Sequence, residues 1–212
     1  MLHQIKSFED FVKLKNKGCQ IIDLSKPDAF ALGHIPGSLN IYSERFAEIA
    51  PEFILKDQAI LLTSDEDIYA AYNQMEAFSK FNNIKGFYHD AFQHWSETLL
   101  PIDVVLSLTA EEVWFEYKHG NLQLFDIRQS ADVEIKRLDE AHHLEYKRII
   151  TEYEQMNENI NACFLCSDGA LSMTLLSFLK IKGYHTFYHA AGGIDVLSDS
   201  GYFTAIREKN KS

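Results

Sequence analysis

Two stretches of this 212-residue chain read alike when laid over one another at an offset of 103 positions, and this repeat constrains the fold more than any other feature. The segments CQIIDLSKPDAFALGHIPGSLNI and LQLFDIRQSADVEIKRLDEAHHL each open with an apolar run of β-type residues ending in Asp, at Asp23 and Asp126. Such runs predict buried strands of a parallel sheet, closing at their C-terminal ends. The same offset sets AILLTSDE against ACFLCSDG, so that Thr63 lies opposite Cys166 and Gly33 opposite Lys136. Amphipathic helices are predicted after each, from about Ile68 to Phe81 and from about Leu171 to Lys182. Short strands GFYH and TFYH then precede turns at DAFQHW and AAGGIDVL.

Strands alternating with helical patterns argue βαβ crossovers, hence an α/β fold in which each copy is a parallel sheet flanked by helices. Ligands of such sheets sit at the carboxyl ends of the strands. Two domains are expected, 1–100 and 105–212. The linker is placed between Leu99 and Thr109, where Pro101 interrupts the pattern and Thr109 with Glu112 three residues on reads as the capped start of a helix. A single continuous sheet with intervening helices is the rival arrangement.

Composition narrows the function. The chain is 46% hydrophobic with 10 Gly and 4 Pro, enough to fill cores, and its formal charge of -11 repels polyanions. Nucleic acid is therefore not expected as a partner. No stretch approaches the ~20 apolar residues that span a bilayer, and the N-terminus lacks a signal-peptide core, so a cytoplasmic protein without a membrane partner is expected. Three cysteines, Cys19, Cys163 and Cys166, are too few and too odd in number for a disulfide framework.

The chemistry-bearing segment is CSDGALS, Cys166 to Ser172. It places a cysteine directly after a buried strand and before a helix, with Gly169 where a positive φ is needed. Successive backbone N–H groups in such a loop form a cradle for an anion, backed by the positive end of the helix dipole. A thiolate there is expected to be stabilised, with its pKa lowered, and to act as a nucleophile.

The combination of GHIPGSLNI after a strand ending in Asp, then strand-CSDGALS-helix, then AAGGIDVL, resembles the rhodanese family of cysteine-dependent sulfurtransferases. The resemblance covers nearly the whole chain as two copies. It implies that Cys166 accepts a sulfane sulfur from a donor and passes it on through a persulfide, with Ser167, Asp168, Gly169, Ala170, Leu171 and Ser172 as the loop that holds it. The partners implied are a small sulfur donor or protein persulfide and a thiol acceptor; no cofactor is implied. Arg128 after Asp126 keeps the family's Asp-x-Arg pattern. Four departures stand out. Where the family's loop often carries basic residues, this chain has Ala170 and Leu171. The acidic Asp168 opposes ionisation of the thiol and repels an anionic donor such as thiosulfate. The second copy reads KRLDE, Lys136 to Glu140, in place of GHIPG. The first copy keeps GHIPG but has Thr63 at the cysteine position, and a threonine cannot carry sulfur.

Simpler roles compete at each position. A cysteine at a strand end is often a small buried hydrophobe, and Cys163 is read as one. Cys163 and Cys166, three residues apart along a strand, span about 10 Å, beyond disulfide reach. The adjacent His142 and His143 point in different directions and are read as surface residues, so no metal site is expected. His34 is read as supporting its turn by hydrogen bonding. Gly192 and Gly193 let the chain turn close to the cysteine loop. Arg128 is read as a structural ion-pair partner, with Asp132 as the partner within reach. Asp168 has a second possible role as a cap on the helix N-terminus. A catalytically decayed binding or scaffolding module is the alternative function. A phosphatase, the third option, needs a longer loop ending in an arginine, which CSDGALS lacks.

Overall fold

The computed structural model describes residues 3–66, 80–81, 83–157 and 159–207, and the chain divides into two units, Met1–Val104 and Val105–Ser212. The first-copy helix expected from about Ile68 lies almost wholly outside the described residues.

In the first unit, strands β1 (Gln20–Asp23), β2 (Leu39–Asn40), β3 (Ile60–Ser64) and β4 (Ile84–His89) form a sheet of order β2-β1-β3-β4 in which every pairing is parallel. All five residues of β3 are buried, as both faces of a parallel strand require. The crossover helices obey local rules. Ser7 Oγ accepts from the Asp10 N–H at 3.1 Å and caps helix Phe8–Asn16, an arrangement worth about 1 kcal/mol. Pro27 opens helix Pro27–Leu32, where its missing N–H costs nothing. Ile5, Phe11, Ile21, Ile35, Leu61 and Trp95 form one apolar cluster, and each large side chain so buried contributes about 1.5–3 kcal/mol.

The second unit repeats the plan with an added edge. Strands β5 (Ser107–Leu108), β6 (Gln123–Asp126), β8 (His142–His143), β9 (Ala162–Leu165) and β10 (Tyr188–Ala190) make a sheet of order β5-β10-β9-β6-β8, again parallel throughout. Leu124, Cys163, Leu165, Ala190, Ile194 and Leu197 belong to its core. The two parallel sheets are separate, so the continuous-sheet arrangement does not occur. Thr109 caps helix Ala110–Lys118 with both hydrogen bonds of a capping box to Glu112, and helix Ala170–Ile181 lies within a residue of its expected bounds.

Two features were not anticipated. The segments read as turns after GFYH and TFYH are short helices, Ala91–Ser96 and Gly193–Asp199, each entered through a residue of positive φ, Asp90 and Gly192. Part of the segment that replaces GHIPG in the second copy is strand β7 (Lys136–Leu138), paired antiparallel with β11 (Ala205–Arg207) near the end of the chain. Among the described residues no helix is long and apolar enough to cross a membrane.

Candidate active site

Strand β9 ends at Leu165, and Cys166 is the first residue beyond it. The chain then turns through Ser167, Asp168 and Gly169, the last at φ 90°, and enters helix Ala170–Ile181. Gly169 serves because an L side chain is strained at that φ and because a Cβ there would come within 3.0 Å of His189 Nε2. Asp168 accepts from the Ala170 N–H at 3.0 Å, which secures the start of the helix. The Ser172 N–H points back at the Cys166 sulfur and donates to it at 3.3 Å, with the Ser172 hydroxyl 3.5 Å from the same atom. That hydroxyl is itself held by the Gly169 carbonyl at 3.0 Å. Asp168 Oδ1 lies 3.9 Å from the sulfur and accepts from the thiol. Ala170 is buried and Leu171 half-buried, so neither fills the loop's missing basic positions.

The ionisation of Cys166 departs from the sequence expectation. Its side chain is enclosed, at 2% residual exposure, and burial pushes the thiol pKa up rather than down. The Ser172 hydroxyl and amide and the Gly169 backbone pull it back, while the Asp168 charge adds to the rise. Loop donors are therefore present, but desolvation outweighs them. Cys163, in the core with no such donors, is raised by burial alone, and all three cysteines are free thiols.

The far wall of the loop is helix Gly193–Asp199. Ile194 and Asp195 donate their N–H groups to the Cys166 and Ser167 carbonyls at 2.8 and 3.0 Å. Gly193, at φ 61°, makes this approach possible, since a Cβ there would lie 2.3 Å from the Cys166 carbonyl oxygen. Gly192 meets its constraint elsewhere, with a Cβ 2.2 Å from the Val196 side chain. A residue that the sequence reading missed completes the support. His189, fully buried in β10, donates from Nε2 to the Gly169 carbonyl at 3.1 Å and accepts at Nδ1 from the Ser107 hydroxyl at 2.9 Å. The carbonyl can only accept, which fixes the tautomer. The available signal was a histidine set between Tyr188 and Ala190 in a short strand.

Arg128 pairs with Asp126 and not, as the sequence suggested, with Asp132. Its Nε and Nη2 donate to the two Asp126 carboxylate oxygens at 2.9 and 2.7 Å, and Nη2 also reaches the Lys136 carbonyl. Both residues are buried. Helix Ser130–Ile135 begins only after Arg128, and the Asp126 carboxylate, two residues back, meets the guanidinium fork directly. In the first copy Thr63 is equally buried, and its hydroxyl accepts from the Ala91 N–H at 3.0 Å. His34 does support its turn: Nδ1 donates to the Phe30 carbonyl at 3.0 Å and the ring stacks on Phe30. His142 and His143 are exposed. Among the described residues no cluster of His, Cys, Asp or Glu is placed to hold a metal ion.

The sequence pattern of the rhodanese-like domain matches residues 7–98 and again 109–199. The chain belongs to the rhodanese-like family. Both copies of the domain are thus accounted for, the first with Thr63 and the second with Cys166 after the strand. A search of curated proteins finds no match. Among solved structures, a rhodanese-related protein from Thermoplasma volcanium is similar to 49% of this chain over 99% of its own, at 16% identity and a TM-score of 0.43. A rhodanese-like domain protein from Staphylococcus aureus is similar to 47% of this chain over 97% of its own, at 19% identity and a TM-score of 0.41. A thiosulfate sulfurtransferase from Pseudomonas aeruginosa is similar to 98% of this chain but only 44% of its own, at 12% identity and a TM-score of 0.38.

Proposed function

We propose that the second rhodanese-like unit is a sulfur carrier acting through a Cys166 persulfide. The observation that carries this reading is the Ser172 N–H aimed at the Cys166 sulfur from the first turn of a helix, at 3.3 Å. A main-chain donor so placed holds a thiolate or the anionic outer sulfur of a persulfide. In the first half-reaction the Cys166 sulfur attacks the sulfane sulfur of a donor persulfide. A new S–S bond forms, the donor's S–S bond breaks, and the donor leaves as a thiolate. In the second, an acceptor thiolate attacks the outer sulfur and Cys166 departs as a thiolate, so the cycle needs no outside oxidant or reductant. Asp168, 3.9 Å from the sulfur, opposes ionisation of the thiol, so the thiol proton passes to the departing donor thiolate. Its charge also disfavours a dianion such as thiosulfate, so a thiol persulfide or a protein persulfide is the preferred donor class.

Intact-mass measurement after incubation with glutathione persulfide checks the proposal. A sulfur-sized increment is expected, lost in Cys166→Ser and discharged by added thiol. No increment with any persulfide donor favours the second reading, a decayed rhodanese-like binding module, for which the observation is the near-complete enclosure of the same sulfur.

A further inference from the structure

We propose that the first unit binds a guanidinium group in an acidic pocket at the carboxyl end of its sheet. The pocket has a water-accessible volume of about 50 Å³, and Asp23, Ser25, Phe30, Gly33, Thr63 and Asp90 are among its lining residues. That volume takes a few waters or one small planar group.

The second copy shows what such a space accommodates. At the 103-residue offset Asp23 corresponds to Asp126, Ser25 to Arg128 and Gly33 to Lys136. In the second unit Arg128, at the position that corresponds to Ser25, forks onto both Asp126 oxygens and reaches the Lys136 carbonyl. In the first unit the carboxylate is retained and the arginine is a serine, and Asp23 and Ser25 both line the pocket. The remaining groups suit a cation. Asp23 is 4% exposed, and among the described residues no cation pairs with it. One of its oxygens accepts the Ser25 N–H at 3.0 Å. Burial, with help from the Asp65 and Asp90 charges, sets its pKa at about 6. At neutral pH the pocket therefore holds a buried negative charge with no counter-ion among the described residues. Such a charge is costly until matched. The neighbouring Lys26 is taken by Glu66 at 3.0 Å, at the surface.

A guanidinium is favoured over an ammonium for two reasons. Its planar fork meets a carboxylate with two parallel hydrogen bonds, as Arg128 does in the second copy. It also stacks on aromatic faces, and Phe30 and Phe92 both line the pocket. The site lies in the unit without a cysteine nucleophile and is independent of sulfur transfer.

The test is a titration of the full ¹⁵N-labelled chain with methylguanidinium chloride, against sodium chloride at matched ionic strength. Saturable shifts are expected at the amides of Asp23, Ser25, Gly33, Thr63 and Asp65. Ser25→Arg, which supplies an internal guanidinium, should abolish saturation, and Asp23→Asn should weaken it at least tenfold. Methylammonium should bind at least tenfold more weakly than methylguanidinium. Shifts that match those of sodium chloride, or saturation that survives in Ser25→Arg, would overturn the proposal. Equal affinity for the two cations would overturn the assignment to a planar group. Ser25→Arg decides the matter if Asp23→Asn does not fold.

Discussion

Replacing Asp23 by Asn should stabilise the first unit, and by an amount that depends on pH in a calculable way. The carboxyl is enclosed and its pKa is raised, chiefly by burial, from 3.8 to about 6. The folded state therefore holds the proton more tightly than the unfolded chain does. The stability tied to that proton is fully present below about pH 4 and is lost as pH rises through about 6. At about 1.4 kcal/mol per pH unit the full loss is about 3 kcal/mol, of which about 2 falls between pH 4.5 and 7.5. Asn keeps an acceptor for the Ser25 N–H and carries no charge, so it escapes the loss. Urea denaturation of the full chain, with amide exchange at Ile22 and Leu62 reporting on the first unit, should show the advantage of Asp23→Asn growing by about 2 kcal/mol over that interval. Other titrating groups cancel in the difference between the two proteins. An advantage that stays constant with pH, or an Asn variant less stable than the parent at pH 7.5, would refute the account of Asp23 as a buried, unmatched charge.

The equivalent carboxylate of the second copy should behave in the opposite sense. Asp126→Ala strands the buried Arg128 guanidinium and should cost about 3–5 kcal/mol in chemical denaturation of that unit, and a loss under 1 kcal/mol would contradict the buried pair. Asp168→Asn removes a charge that raises the Cys166 pKa but keeps an acceptor for the Ala170 N–H; iodoacetamide should then label Cys166 faster at pH 7, and an unchanged rate would exclude the carboxylate from the thiol's ionisation. Gly193→Ala forces a methyl against the Cys166 carbonyl at a positive φ; it should cost about 1–3 kcal/mol and lower persulfide uptake, whereas full uptake would show that the loop tolerates its displacement.

The duplicated architecture was legible because each copy writes the same signals at the same spacing: an apolar strand closing on Asp23 or Asp126, then a second strand running into Ser-Asp. The Thr109 and Glu112 cap and the position of Cys166 between strand and helix follow from local chemistry alone, which is why one window of sequence sufficed for them. What failed depends on the third dimension. The thiol pKa is a contest between donors, visible in CSDGALS, and depth of burial, which no local pattern states. The partner of Arg128 was misread because the choice between Asp126 and Asp132 turns on which way the side chain folds back, which the sequence does not state. His189 and the pairing of Lys136–Leu138 with Ala205–Arg207 join segments distant in the chain. Helices Ala91–Ser96 and Gly193–Asp199 are too short to display a period.

The amides of Ile194 and Asp195 take up the carbonyls of Cys166 and Ser167, and this fixes which way the corresponding peptide planes face. A plane whose oxygen is engaged on one side cannot rotate to present it on the other. The loop is thus barred from turning these two carbonyl oxygens toward the sulfur, which already faces one acceptor in Asp168. Folding has already set the direction of these two planes, so in the proposed transfer they need no rearrangement when the sulfur gains charge.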